Sequence, residues 1–347
     1  MSTLTIALAS LGGVVLAGVV AHGAWQARKA GPKRATPAPE RSEPREPVMD
    51  PMDAVAVAAE EVANLAERRA NRRIVNRLDA LIDAIAAVRI EAPVSGAFVI
   101  AHLPTSRRAG GKPVLIEGLN SETGEWEAPA HSQRYGDFQA GVQLANRTGA
   151  LNEIEYSEFV QKIQAFTEGI GALADFPDML EAVASARELD AFASQHDAQL
   201  AVHLQARSAA WSVGYIQQHA GRHGFVPGVV PGRLVMPAAD EGAPPVLTLT
   251  FDSQAALADD PNLAALRDVT LSFDVPQTDA TALPFVAWQA SAQALSLGMD
   301  ASIVDDNGRP LSPEGFAAIG AELGRLYTAL QDRDLAAGSP AARRLFS

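Results

Sequence analysis

The stretch Val269-Thr-Leu-Ser-Phe-Asp-Val275 alternates apolar and polar residues, which is the pattern of a β-strand with one buried face. The apolar residues form the predicted core face, namely Val269, Leu271, Phe273 and Val275. The polar residues between them are predicted to point outward, namely Thr270, Ser272 and Asp274. Val246–Phe251 alternates in the same way. Strands that bury one face are typical of antiparallel sheets.

Helical periodicity surrounds these strands along the chain. It predicts helices at Tyr156–Phe166, Pro177–Gln195, Ser212–His223, Phe285–Leu297 and Pro313–Leu330. Further strand-like runs are Leu81–Ile90, Pro113–Leu119, Gly141–Ala145, Leu200–Leu204, Arg233–Met236 and Ala301–Val304. Strands and helices alternate irregularly, so we predict an α+β fold with largely antiparallel sheets rather than a doubly wound parallel sheet.

The first 27 residues are predicted to be a transmembrane anchor. Met1 to Ala27 carries no charge, and residues 4–21 are apolar or small over a length that can cross a bilayer. Basic residues from Arg28 onward place the N-terminus outside and the remainder of the chain in the cytoplasm. The alternative, a cleaved signal peptide, normally begins with positive charges that are missing here. Small residues at Ala9, Gly13 and Ala17 suit helix packing, so a homodimer through them is a hypothesis.

A tether and a basic helix are predicted to follow the anchor. Residues 28–51 are rich in Pro and charge, as in an extended, solvated linker. Residues 52–77 are Ala-rich without Gly or Pro, which favours a helix. Its basic end contains Arg68, Arg69, Arg72 and Arg73. These arginines suit contact with anionic lipid or an acidic partner, or a solvated face at the negative end of the helix dipole.

Composition excludes several classes of function. The 347 residues include no cysteine, which excludes disulfides, thiolate metal sites and a cysteine nucleophile. The net charge is −13, and residues 78–347 contribute −16 of it, with 17 Lys and Arg against 33 Asp and Glu. Nucleic acid is therefore not an expected partner. The sequence shows no catalytic motif, and His219 and His223, which lie at i and i+4 on a predicted helix, have no acidic residue in the same turn, so we expect neither enzymatic activity nor a cofactor.

The C-terminal part of the chain resembles the ZipA family of bacterial inner-membrane division proteins, which tether FtsZ. The resemblance covers about 198–333 and begins at Gln199-Leu-Ala-Val-His-Leu-Gln-Ala-Arg207 as a first strand. It continues through a helix at Trp211–Gly224 and the stretch Gly224-Phe-Val-Pro-Gly228, and resumes at Val269–Pro276. The helix Phe285–Leu297 then leads to Ala301-Ser-Ile-Val-Asp-Asp306, and Leu311-Ser-Pro313 opens a last helix. An N-terminal anchor followed by a Pro-bearing linker is also the family's arrangement.

The resemblance implies a six-stranded antiparallel sheet with three helices on one face, whose open face takes the FtsZ C-terminal tail. The positions that would form this face, with outward side chains by alternation, are Ala201, His203, Val235, Thr248, Thr250 and Ser272. The family's groove is hydrophobic, whereas this set is mostly polar.

The middle stretch, 78–197, is predicted to be a second α+β domain. Leu144-Ala-Asn146 and Phe176–Gln195 resemble elements of the same family, which suggests a diverged copy of the C-terminal domain. Residues 334–347 are predicted to be a disordered tail.

The leading functional hypothesis is a non-enzymatic inner-membrane tether that binds FtsZ and stabilises the division ring. The alternative is a membrane-anchored cytoplasmic scaffold for a different envelope or division protein.

Overall fold

The computed structural model describes residues 77–240, 242–258, 260 and 264–347. The predicted anchor 1–27, the linker 28–51 and all but the last residue of the predicted helix 52–77 lie outside these residues. So do the hypothetical dimer positions Ala9, Gly13 and Ala17 and the basic cluster Arg68, Arg69, Arg72 and Arg73. Among the residues that are described, none of the helices combines the length and apolar character needed to cross a membrane.

The predicted fold class is confirmed, because the described chain is α+β and its strands pair antiparallel. It divides into two compact units. We call them the middle unit, with residues 77–198, 275–280 and 324–347, and the C-terminal unit, with 199–274 and 281–323. The boundaries differ from the predicted 78–197 and 198–333, because two later segments make their contacts with the middle unit.

The middle unit contains a six-stranded sheet in the order β2-β3-β5-β1-β8, with β4 paired to β3. Its sheet strands are β1 (Asp83–Ser95), β2 (Arg108–Ala109), β3 (Lys112–Asn120), β4 (Trp126–Glu127), β5 (Arg134–Gln143) and β8 (Ala172–Asp175). A separate pair comprises β6 (Ala145–Asn146) and β7 (Gly149–Ala150). Its helices are α1 (Gly96–His102), α2 (Glu153–Ile170), α3 (Met179–His196) and α8 (Pro340–Leu345).

Two long helices cover one face of the middle sheet. A capping box starts α2, because the Asn152 side chain accepts from the backbone N–H of Glu155 while the Glu155 carboxylate accepts from the N–H of Asn152. Apolar residues at helical spacing, such as Phe159 and Ile163, are fully buried in one core with Val88 of β1. We call the face that α2 and α3 cover the inner face. The opposite face of the sheet is free of both helices.

The prediction of a disordered tail at 334–347 is wrong. Residues Pro340–Leu345 form α8, and Leu345 and Phe346 are each 1% exposed in the core of the middle unit. Arg344 donates to both carboxylate oxygens of the buried Asp83, at 2.5 and 2.8 Å. The tail is ordered because Arg344 bonds to Gln143 and Asp83, which lie more than 200 positions away in the sequence. Local composition cannot predict such contacts.

The C-terminal unit contains a six-stranded sheet in the order β10-β11-β12-β13-β9-β14. Its strands are β9 (Gln199–Ala206), β10 (Val226–Pro227), β11 (Arg233–Met236), β12 (Leu247–Thr250), β13 (Asp268–Asp274) and β14 (Ala301–Val304). Its helices are α4 (Val213–Gly221), the short α5 (Ser253–Ala256), α6 (Pro284–Met299) and the first part of α7 (Pro313–Gln331), whose residues from Gly324 belong to the middle unit. A 3-10 turn spans Ala280–Ala282.

Two tryptophans anchor the core of the C-terminal unit. Trp288 of α6 is fully buried against Phe273 and Phe316, and its indole N–H donates to the carbonyl of Leu271 at 3.0 Å. Trp211 is equally buried and donates to the carbonyl of Met299 at 2.8 Å. Both indoles therefore bury a large apolar surface without leaving a polar group unpaired.

The two sheets share one order of elements. Apart from the short α5 and the separate β6–β7 pair, in each unit a first strand is followed by a helix, a run of antiparallel strands, a second helix, a strand and a third helix. In each sheet the first strand, β1 or β9, lies between the last strand of that run and the strand after the second helix. The C-terminal sheet has one more strand in the run, β12, whereas the middle sheet adds β4 at the side of β3.

Candidate functional site

The structure brings all six predicted site residues together on one face of the C-terminal sheet, which we call the C-terminal outer face. Directly opposed residues of an antiparallel sheet lie on the same face. One row of opposed residues crosses the sheet through Val226, Val235, Thr248, Ser272 and Ala201. The adjacent row runs through Arg233, Thr250, Thr270, His203 and Val304. Their role in binding a partner stays a prediction.

Burial follows the alternation predicted for β13. Val269, Leu271 and Phe273 are almost fully buried on the inner face, against the helices. On the outer face Thr248 and Thr250 are half-buried, whereas Ser272, between Thr248 and Ala201, is only 6% exposed. The centre of the face therefore presents hydroxyl groups and little apolar surface.

His203 connects three segments of this face. Its Nδ1 lies 3.1 Å from Asp268 Oδ1 and 3.2 Å from Thr270 Oγ1, and its Nε2 lies 3.2 Å from Asp306 Oδ1. Burial alone would lower the pKa of His203, but the hydrogen bonds and charges of Asp268 and Asp306 outweigh it and raise the pKa. The protonated imidazole, with two donors, thus suits two carboxylates, and the contacts join β9, β13 and the segment after β14.

Exposed valines form an apolar margin beside the polar centre. Val226 of β10 opposes Val235 and is 46% exposed. Val229 and Val230, in the turn between β10 and β11, are also exposed. Sequence reasoning missed this margin, although the repeated Pro-Gly pairs at 227–228 and 231–232 indicated a tight hairpin with valines at its tip. The face thus offers apolar contact at one side and hydrogen-bonding groups at its centre.

Proline occurs at both edges of the C-terminal sheet. The edge strand β10 is two residues long and includes Pro227, and beyond β14 the chain forms a single bridge between Val304 and Pro310. Proline has no backbone N–H to donate to an added strand. Strand addition at β10 is therefore disfavoured, which favours a peptide that lies across the face itself.

A hollow of about 450 Å³ opens at one end of the outer face. Thr250, Thr270 and Asp268 line it from the sheet, and Asp252 and Arg267 line it from the flanking loops. It shares Asp268 and Thr270 with the His203 contacts, and Phe251, Ala265 and Leu266 also line it, so a ligand group entering it would meet both charged and apolar residues.

Two observations on the described residues concern metal ligands and buried nucleophiles. None of their His, Asp and Glu side chains form a group of three or more arranged to hold a metal ion. Lys112 of the middle unit is 1% exposed, and its ammonium donates to Asn146 Oδ1, Thr148 Oγ1 and the Gly149 carbonyl. Burial lowers the pKa of Lys112. With its three donors already engaged, this lysine pins β6–β7 to β3.

No protein-family model matches this chain, and no curated protein is similar to it.

Proposed function

We propose that this protein is a non-enzymatic tether that binds the FtsZ C-terminal tail from the cytoplasmic side of the bacterial inner membrane and stabilises the division ring. The observation that carries the proposal is the convergence of Ala201, His203, Val235, Thr248, Thr250 and Ser272 on one sheet face. The six antiparallel strands of that sheet agree with the arrangement that the resemblance to the ZipA family implies.

The tail would bind as an extended segment across the two rows. Val226 and Val235 supply the apolar contact that usually provides most of the affinity of such a site, and the threonine hydroxyls can bond to a peptide backbone. Anchoring raises the effective concentration of the binding face at the membrane, so that many weak contacts along a filament act together. No chemical step is required of the protein.

The shared strand order of the two units supports a further part of this proposal. We infer that the middle unit is a diverged copy of the C-terminal unit, duplicated within one chain. The correspondence of β1 with β9 and of β8 with β14 in the sheet order is the observation behind it. The two outer faces have since acquired different residues, so one copy can differ in its binding partner.

The alternative function is a membrane-anchored scaffold for another envelope or division protein. The polar centre of the outer face favours it, because Thr248, Thr250 and Thr270 replace the apolar anchors of a hydrophobic groove. A partner that supplies hydrogen-bonding side chains would suit this centre better than an apolar tail.

Fluorescence anisotropy with a labelled FtsZ tail peptide and the full chain in detergent separates these functions. We expect micromolar binding that Thr248→Lys weakens at least about tenfold, since about 1.4 kcal/mol of lost contact corresponds to that factor. The matched control is Thr105→Lys, at an exposed position of the middle unit, which should bind like the unchanged chain. Absence of binding by the folded chain would refute the FtsZ proposal and favour the scaffold.

A further inference from the structure

The middle sheet has an outer face of its own, opposite the core that α2 and α3 cover. Register places on it Ile85, Ala87, Arg89, Leu115, Glu117, Leu119, Trp126, Asp137, Gln139 and Gly141. We call this set the middle outer face. Unlike the C-terminal outer face, it contains Ile, Leu and Trp side chains near its centre, and all four of these are half-buried.

The first described residues of the chain already lie on this face. The backbone N–H of Leu78 donates to Glu117 Oε1 at 2.9 Å, and the Arg77 guanidinium donates to the Trp126 carbonyl at 3.2 Å. The Leu78 side chain packs directly over Gly141, because a Cβ added to Gly141 would stand 2.4 Å from Leu78 Cδ2. The sheet is thus shaped to receive the chain as it arrives from residue 76.

Part of the face beyond Leu78 is exposed. Ala87 and Arg89 of β1 are exposed, as is Leu173 of β8, which opposes Arg89. The carboxylates of Asp137 and Asp175 also lie on this side, paired in register with Arg89 and Ala87. The open area therefore combines apolar side chains with an excess of negative charge.

We propose that the middle outer face is the docking surface for residues 52–76 of the same chain. This segment ends at the residue bonded to Arg77, so its last part starts from the face at high effective concentration. Its final ten residues contain Arg68, Arg69, Arg72 and Arg73 against the single acid Glu67. Ile74 and Val75 match the apolar centre, and the arginines match the carboxylates. The predicted helix would be about 37 Å long, enough to cross a five-stranded sheet.

Docking would set the reach of the tether. If residues 52–76 are bound, only the 24 residues of 28–51 separate the middle unit from the predicted anchor. The r.m.s. end-to-end distance of such a flexible linker is about 27 Å. If they are free, the 49 residues of 28–76 span about 39 Å. This consequence rests on the proposed tether, whereas the docking itself does not.

Thiol labelling of the full chain in detergent tests the proposal, because the chain has no cysteine of its own. We expect Ala87→Cys to react at least about tenfold faster when Arg68, Arg69, Arg72 and Arg73 are all replaced by Glu. A tenfold decrease in the docking equilibrium constant corresponds to about 1.4 kcal/mol. Replacing the same four arginines by Lys should leave the slow rate largely intact. Leu297→Cys, 85% exposed in the C-terminal unit, is the control whose rate should not change.

Equal rates for Ala87→Cys in the unchanged and the Glu-substituted chains would overturn the proposal. A slow rate that increases on dilution would also overturn it, because a second copy, not the chain's own segment, would then cover the face. These outcomes are independent of FtsZ binding, so failure of the docking and failure of the proposed function are distinguishable.

Discussion

The middle and C-terminal sheets share an order of strands but present different outer faces. The C-terminal outer face has hydroxyls, one histidine between two aspartates, and valines at its margin. The middle outer face has apolar side chains, and the chain covers part of it with Arg77 and Leu78. Inward residues are constrained by core packing, whereas outward residues of a half-buried sheet are free to diverge. Two sheets with the same strand order can therefore differ in function: the outer face of one can bind a partner, whereas that of the other can bind a segment of its own chain.

The two units also differ in how they are closed. The C-terminal 24 residues of the chain belong to the middle unit, and the fully paired Arg344–Asp83 contact fixes them there, with the two side chains 12% and 1% exposed. In the C-terminal unit the contacts of His203 join three segments, but its side chain remains 28% exposed. Differences in stability between variants of the two units should follow this contrast.

The largest effect is expected from Arg344→Ala. Removing the guanidinium leaves the Asp83 carboxylate buried without its partner, so the middle unit should lose about 3–5 kcal/mol. Hydrogen exchange measured by mass spectrometry should show faster exchange in β1, β3 and β5. The matched control is Arg187→Ala, whose ion pair with Glu153 is exposed and worth at most about 1 kcal/mol. Equal effects of the two changes would show that the buried pair does not close the unit.

A smaller effect is expected from Gly141→Ala. The added methyl group would meet Leu78 Cδ2, the end of a flexible side chain that can shift, so the change should cost about 1 kcal/mol, the low end for overpacking. Limited proteolysis near residue 78 should become faster. Gly221→Ala in α4 is the control, because nothing lies within 4 Å of its added Cβ, and it should be neutral or slightly stabilising. An unchanged rate of proteolysis in Gly141→Ala would mean that packing over Gly141 does not hold Leu78 in place.

The smallest effect concerns pH and the C-terminal unit. Because the folded pKa of His203 is raised, its contribution to stability is complete below the unfolded pKa of about 6.5 and is lost as the pH rises through the folded pKa. Urea unfolding followed by Trp211 and Trp288 fluorescence should show less than about 1 kcal/mol of this loss, typical of partly exposed pairs.

Two variants test the assignment to His203. His203→Gln should remove this part of the pH dependence, whereas His223→Gln, in the same unit, should retain it. If His203→Gln unfolds with the unchanged chain's pH dependence, the contacts with Asp268 and Asp306 do not stabilise the unit.

Local pattern was enough to predict most elements of the fold. The alternation at Val269–Val275 corresponds to β13 at Asp268–Asp274, and the periodicity at Pro313–Leu330 corresponds to α7 at Pro313–Gln331. The six-residue helix α8 was missed because its order comes from the packing of Leu345 and Phe346 in the core of the middle unit and from the pairing of Arg344 with Asp83, and these partners are remote in sequence. Such nonlocal contacts leave no trace in a short window.

The candidate site was predictable to the same extent. Alternation assigned outward residues on separate strands, and the strand register then placed them in two adjacent rows. The partners of His203 were not predictable, since Asp268 and Asp306 lie 65 and 103 positions away. The valine margin depends on a hairpin whose exposure follows from its position at the sheet edge.

Photo-crosslinking of an FtsZ tail peptide to the full chain tests the central claim most directly. With the crosslinker at the centre of the peptide, we predict adducts within 199–206, 226–236, 247–250 and 268–274, the strands of the C-terminal outer face. Thr248→Lys should reduce their yield. Adducts confined to 83–143, on the middle sheet, or none on a folded chain, would contradict the assignment of partner binding to the C-terminal outer face.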